Sequence, residues 1–95
     1  LFEGFLSPKP GRRKRRLVEL MDCGSAVVLY ESPYRVVKLL KDIVEIDESR
    51  NVVIGKELTK VHENVMLGRA DELLKMFSSL ENIKGEFSLL ISAKT

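Results

Sequence analysis

The chain has 95 residues, of which 44% are hydrophobic, and a formal net charge of +2 at neutral pH. This length supports one domain with a modest core, and the single cysteine excludes an internal disulfide or a cysteine-based metal cluster. No apolar run approaches the ~20 residues that cross a bilayer, and no apolar segment follows the basic run as it would in a signal peptide. We therefore expect a cytoplasmic protein without a membrane partner.

Hydrophobic periodicity predicts two strand–helix units in the first half of the chain. They comprise a strand at 1–6, a proline-rich loop at 7–11, a helix at about 12–22, a strand at 26–31 and a helix at about 33–46. The proline-rich loop is predicted not to be helical. Gly24 is a candidate left-handed residue after the first helix. Ser32 is the predicted N-cap of the second helix, and Pro33 is its predicted first residue.

The second half of the chain predicts three more strands and one more helix. They comprise a strand at 51–58, a strand at 61–67, a helix at about 69–80 and a strand at 86–92. Helical spacing predicts that the helix buries Ala70, Leu73, Leu74, Phe77 and Leu80, and Phe87, Leu89 and Ile91 alternate along the last strand. Only Thr59 and Lys60 separate the first two of these strands, which indicates a hairpin and makes an all-parallel sheet unexpected. The predicted fold class is α/β, a layered sandwich with a mixed sheet of about five strands and about three helices.

The junction between the second strand and the second helix concentrates reactive side chains. Tyr30 and Glu31 end the strand, and Arg35 follows within the first helical turn. Open α/β sheets bind ligands at the carboxyl ends of their strands. The alternative is an ordinary capped turn between a strand and a helix, with Arg35 paired to Glu31.

The positive charge is concentrated at the start of the chain. Residues 1–16 hold six basic side chains against one acid, whereas the remainder holds ten basic and thirteen acidic residues. Positive charge at a helix start opposes the helix macrodipole, so local stability does not require it. The run Arg12-Arg13-Lys14-Arg15-Arg16 therefore predicts a phosphate-binding patch, with a solvated helix start as the alternative.

Several common chemistries are absent from the sequence. No G-x-G-x-x-G loop follows a strand, and no serine–histidine–aspartate arrangement is present. His62 is the one histidine and has no partner at ligand spacing, so no metal site is predicted. The chain alone therefore lacks the constellation of a complete enzyme.

Four short motifs do form an ordered set. They are Gly4-Phe5-Leu6-Ser7-Pro8-Lys9-Pro10-Gly11-Arg12, Tyr30-Glu31-Ser32-Pro33-Tyr34-Arg35, Lys56-Glu57-Leu58-Thr59-Lys60 and Lys84-Gly85-Glu86-Phe87. In this order and spacing they resemble the C-terminal half of the bacterial rRNA small-subunit methyltransferase I family, of the tetrapyrrole methylase superfamily. The resemblance implies an S-adenosylmethionine-dependent enzyme that methylates a cytidine ribose 2′-hydroxyl of small-subunit rRNA and acts as a homodimer. It also implies a missing N-terminal α/β domain that supplies much of the cofactor site, so this fragment alone is expected to be inactive.

The same resemblance implies roles for individual residues. The expected cofactor-binding residues are Phe5, Leu6, Ser7, Tyr30, Glu31, Ser32 and Pro33. The expected RNA-binding residues are Lys9, Arg12, Arg13, Lys14, Arg15, Arg16 and Arg35. A hydroxyl that attacks a sulfonium benefits from a general base. The candidates for this base are Glu31, Glu57 and Lys60, among which the sequence does not choose.

The sequence departs from the family pattern at three positions, and other functions stay open. Ser7 replaces a proline, Tyr34 replaces a histidine, and Lys56 replaces an arginine. One alternative is a noncatalytic RNA-binding module that uses aromatic side chains as stacking platforms. Another is a dimerisation domain with an exposed apolar face. A relative that methylates a small tetrapyrrole is the third, although the basic run favours a polyanionic substrate.

Overall fold

The computed structural model describes residues 1–57, 64–80 and 83–94. The described part contains five strands and three helices, which confirms the predicted fold class. The strands are β1 (Phe2–Phe5), β2 (Val27–Glu31), β3 (Asn51–Glu57), β4 (Asn64–Arg69) and β5 (Glu86–Ile91). The helices are α1 (Pro10–Met21), α2 (Val36–Asp47) and α3 (Ala70–Ser78).

The five strands form one mixed sheet in the order β1-β2-β5-β3-β4. β1 is parallel to β2, and β5 is antiparallel to both of its neighbours, β2 and β3. β1, β2 and β3 therefore run in the same direction and end at the same end of the sheet, where β5 and β4 begin. We call this the carboxyl end of the sheet.

All three helices pack on one face of the sheet. Side chains alternate along β2 and β5, so that every second one enters the core. The core combines Leu17 and Leu20 of α1, Leu40 of α2 and Phe77 of α3 with this strand face. On the other face, large apolar side chains stay exposed: Phe2, Phe5, Tyr30, Val65, Leu67 and Leu90. Within the described residues the domain thus has two layers and one open sheet face.

Both helix starts in the first half differ from the prediction. α1 begins at Pro10, so the last two residues of the predicted loop are helical. Proline fits there because the N–H groups of the first helical turn have no acceptor within the helix, so no hydrogen bond is lost at a residue that lacks an N–H. α2 begins at Val36, and the predicted N-cap is wrong because no side chain caps this helix. Instead, the Ser32 carbonyl accepts hydrogen bonds from the N–H groups of Arg35 and Val36, both at 3.1 Å.

The second half follows its prediction more closely. β3 and β4 pair antiparallel, as expected for a hairpin, although its predicted turn and residues 61–63 lie outside the described residues. α3 ends at Ser78, and Leu80, predicted to be buried, is 48% exposed. Gly24 has a φ of +83°, which confirms the left-handed conformation expected after α1.

Candidate functional site

All four motifs meet at the carboxyl end of the sheet. The first two motifs contain the ends of β1 and β2, the described part of the third contains the end of β3, and the fourth contains the start of β5. Four register pairs join them across neighbouring strands: Phe5 with Tyr30, Glu31 with Phe87, Lys56 with Phe87, and Glu57 with Glu86. Phe5 and Phe87, 82 positions apart in sequence, are thereby brought to the end of the sheet where open sheets bind ligands.

An aromatic cluster lies on the open face beside this end. The Phe5 and Tyr30 rings are 5.7 Å apart at 60°, and the Phe2 ring meets Tyr30 edge-on at 5.3 Å. A cavity of about 270 Å³ is lined by Phe5, Tyr30, Glu86 and Phe87. Flat apolar rings and a carboxylate together suit a ligand with a planar ring and hydroxyl groups.

Glu31 points to the opposite face from its neighbour Tyr30, because successive side chains alternate along a strand. Its side chain is 3% exposed. Its Oε1 accepts hydrogen bonds from the Ser32 N–H at 2.8 Å and from the Arg35 Nε–H at 3.0 Å. The alternative pairing of Arg35 with Glu31 is therefore the one observed, and Glu31 holds the turn before α2.

The seven expected cofactor residues divide into two groups. Phe5 and Tyr30 line the cavity. The others lie in turns or against the core: Leu6 packs on the core, the Ser7 Oγ accepts the Lys9 N–H at 3.2 Å, and Glu31, Ser32 and Pro33 form the turn before α2. Of the two remaining candidate bases, Glu57 is the last residue of β3, at the carboxyl end of the sheet, and Lys60 lies outside the described residues.

The basic run is partly neutralised by carboxylates from other elements. Arg13 is buried, and its Nε–H donates to Asp42 Oδ2 at 2.6 Å. A buried guanidinium with this partner holds the fold, so we remove Arg13 from the expected phosphate contacts. The sequence indicated the basic run but could not reveal that Arg13 pairs with Asp42, 29 residues away.

Two further members of the run, Lys14 and Arg16, also have partners. Lys14 Nζ lies 2.7 Å from Glu45 Oε2, and this carboxylate raises the pKa of Lys14. Arg16 donates two hydrogen bonds of 2.8 Å to Glu3, and these hold the pKa of the Glu3 carboxyl below its usual value. A third hydrogen bond, of 3.0 Å, joins Arg16 to Glu19. Arg12 and Arg15 remain exposed, as does Lys9.

Arg50, which the sequence did not single out, clamps the opposite end of the sheet. It is buried, and its guanidinium donates to the Met21 carbonyl at 3.0 Å, the Ser92 carbonyl at 3.2 Å and Asp47 Oδ2 at 3.0 Å. Hydrogen bonds from Ser49, together with Arg50, lower the pKa of Asp47. These contacts join the end of α1, the end of α2 and the segment after β5, so we assign Arg50 a structural role.

Two further features bear on the function. Among residues 1–57, 64–80 and 83–94, no group of three or more histidine, cysteine or acidic side chains is placed to hold a metal ion. No helix in the same ranges has the length and apolar character needed to cross a membrane.

Comparison with known proteins gives the context of this site. No family model matches the chain. Ribosomal RNA small subunit methyltransferase I of Borrelia garinii subsp. bavariensis is 44% identical over 93 residues, which cover 97% of this chain and 42% of that protein. The chain is a relative of the ribosomal RNA small subunit methyltransferases I. The protein of the same name from Coprothermobacter proteolyticus is 40% identical over 90 residues, covering 95% of this chain and 39% of that protein.

The chain thus spans about two-fifths of the length of its methyltransferase I relatives. Solved structures with the same fold are more distant in sequence. A cobalt precorrin-4 methyltransferase superposes with a TM-score of 0.66 at 13% identity, over 97% of this chain and 40% of that one. Uroporphyrin-III C-methyl transferase from Thermus thermophilus, complexed with S-adenyl homocysteine, superposes with a TM-score of 0.61 at 14% identity, over 95% of this chain and 41% of that one. The fold is therefore that of the tetrapyrrole methylases, and it is consistent with their C-terminal half.

Proposed function

We propose that the chain is part of an S-adenosylmethionine-dependent methyltransferase that methylates a cytidine ribose 2′-hydroxyl of small-subunit rRNA in the cytoplasm. The observation that carries this proposal is the meeting of all four motifs at the carboxyl end of the sheet. The names of the relatives support rRNA as the substrate. The activity belongs to a longer protein with an N-terminal domain, and this chain alone is expected to be inactive.

The cavity at the carboxyl end fits part of the proposed cofactor. Its volume of about 270 Å³ and its Phe5 and Tyr30 rings suit an adenosyl group, whose planar base needs apolar walls. Glu86 offers a carboxylate that can accept hydrogen bonds from ribose hydroxyls. When bound, S-adenosylmethionine supplies an activated methyl group on its sulfonium.

The residues of this chain would then act mainly by positioning, because transfer of a methyl group depends on in-line placement of the acceptor oxygen. Glu31, Glu57 and Lys60 remain the candidates for the general base. Glu31 is the weakest of them, since its Oε1 already accepts two hydrogen bonds and its side chain faces the helices.

The proposal is tested by calorimetric titration of S-adenosylhomocysteine into the chain and into its Tyr30→Ala variant. Loss of a ring that stacks on the base is expected to weaken binding roughly 5- to 150-fold, from about 1–3 kcal/mol of stacking. Tyr34→Ala is the matched control, because Tyr34 is 88% exposed and does not line the cavity. Equal binding by the chain and both variants would contradict the assignment of this cavity. If the chain alone does not bind, the same three titrations are made with the complete parent protein, where equal binding by all three would contradict the assignment.

A second candidate function, a dimerisation module, is favoured by the open sheet face. Six large apolar side chains are exposed there, and soluble monomers seldom leave such a patch uncovered. We propose that the parent protein is a homodimer that covers this face at Val65, Leu67 and Leu90, away from the cavity that Phe5 and Tyr30 line. Sedimentation at several concentrations tests this proposal, and a strictly monomeric protein would count against it.

A further inference from the structure

The charges on α1 and α2 run against the helix macrodipole. Neither helix has an acidic residue in its first turn or a basic residue in its last turn. α3 has the usual arrangement, with Asp71 and Glu72 in its first turn and Lys75 in its last. Because acids at the start and bases at the end stabilise a helix, the charges of α3 serve its stability and those of α1 and α2 do not.

The two exceptional helices are the ones that begin at the candidate site. α1 follows β1 and α2 follows β2, so both helices start at the carboxyl end of the sheet. α3 follows β4, which runs the other way, and therefore starts at the opposite end. Positive charge is thus placed beside the meeting point of the motifs, at a cost to helix stability.

Four of these basic side chains point to solvent and are not neutralised. Arg12 and Arg15 are three residues apart on α1, and Lys38 and Lys41 are three residues apart on α2, so each pair shares one face of its helix. All four are exposed, and no carboxylate in the described part of the chain lies within 4.0 Å of their charged nitrogens. We call these four residues the helix-pair surface.

The two helices are held side by side, so the two pairs form one surface. The contacts between Arg13 and Asp42 and between Lys14 and Glu45 join α1 to α2 along this part of the helices. Packed helices lie about 8–10 Å apart, which is close enough for charges on both helices to act on the same polyanion. The acids of α1 and α2 lie in their second halves: Glu19, Asp42, Glu45 and Asp47.

We propose that the helix-pair surface binds the phosphate backbone of the RNA substrate and holds the strand against the carboxyl end of the sheet. This inference rests on the proposed rRNA methyltransferase function. It adds Lys38 and Lys41 to the RNA contacts expected from the sequence, and it assigns Arg13, Lys14 and Arg16 to holding the fold. Phosphate contacts of this kind position the nucleic acid without reading its sequence.

The test is a fluorescence anisotropy titration of a labelled single-stranded rRNA fragment with the chain, repeated over a series of KCl concentrations. The test variant is Lys38→Gln/Lys41→Gln. The control is Arg69→Gln/Lys94→Gln, which removes the same formal charge at the opposite end of the sheet, where Arg69 pairs with Asp71 at 3.0 Å. Each lost phosphate contact lowers the slope of log K against log salt by about 0.7, so the test variant should lose about 1.4 in slope and bind at least about tenfold more weakly near 0.1 M salt.

The outcomes separate this inference from the function on which it rests. Equal losses in the test and control variants, or no loss in either, would overturn the helix-pair surface. Competition by polyglutamate as strong as that by unlabelled RNA would also overturn it, because the surface would then recognise acidic protein. Circular dichroism and the urea midpoint verify that both variants fold. Titration of S-adenosylhomocysteine, which these lysines do not contact in our proposal, reports separately on the methyltransferase assignment.

Discussion

The buried ion pair between α1 and α2 gives a sharp prediction about stability. Arg13 and Asp42 are 6% and 5% exposed, and a single contact of 2.6 Å joins Arg13 Nε to Asp42 Oδ2. Asp42→Ala leaves the guanidinium buried without its partner, which typically costs about 3–5 kcal/mol. At roughly 0.05–0.15 kcal/mol per residue, a domain of this size has a total stability of about 5–14 kcal/mol. The substitution should therefore remove a large share of the free energy of unfolding.

Urea unfolding followed by circular dichroism measures this loss as a lower midpoint at unchanged m-value. The double variant Arg13→Met/Asp42→Ala is the informative partner, because replacing a whole buried ion pair by apolar groups is often close to neutral. We expect it to regain most of the stability lost in the single variant. A loss below about 1 kcal/mol in Asp42→Ala, or a double variant no more stable than the single one, would refute the structural role of Arg13.

The same unfolding assay checks three further predictions. Because Arg16 lowers the pKa of Glu3 from its ordinary value of 4.5, the contact stabilises the fold above that pH and loses its effect as the pH falls through the lowered value. Glu3→Gln should thus be less stable at neutral pH and converge with the parent chain in acid, and parallel pH profiles would contradict this. Gly24→Ala should lower the free energy of unfolding by about 1–2 kcal/mol, because alanine is strained in the left-handed backbone conformation. No steric clash adds to this cost, because a Cβ at Gly24 meets nothing within 4 Å. Gly11→Ala, in the first turn of α1, should instead stabilise the chain by up to about 1 kcal/mol.

The sequence was most informative where periodicity and motif order act together. The alternation of Phe87, Leu89 and Ile91 predicted the core face of β5, and the predicted helical burial of Leu73 and Phe77 in α3 is also observed. Such patterns are local, and one face of each element must be buried whatever its partners are. The second motif likewise indicated the carboxyl end of a strand, because Tyr30 and Glu31 follow a buried apolar run.

What the sequence could not supply is the identity of partners distant in the chain. Ser32 was predicted to cap α2 from its position alone, but the carboxylate of Glu31 takes the Ser32 N–H and a different turn results. The basic run suggested uniform phosphate contacts, whereas Asp42 and Glu45 neutralise part of it from a second helix. Side-chain competition of this kind depends on tertiary packing, which local propensity does not contain.

The central position of β5 in the sheet has a consequence for biosynthesis. β1 and β2 form one ladder and β3 and β4 another, and within the sheet these two ladders are joined through β5. A nascent chain that ends before Glu86 can therefore form only two separate ladders in its described part, and the strand between them is still missing. The fourth motif lies at the start of β5, so the segment that completes the sheet is also the one that brings the other three motifs together. Once β5 is synthesised, it can pair with β2 and β3, which completes the sheet and assembles the candidate site in the same step.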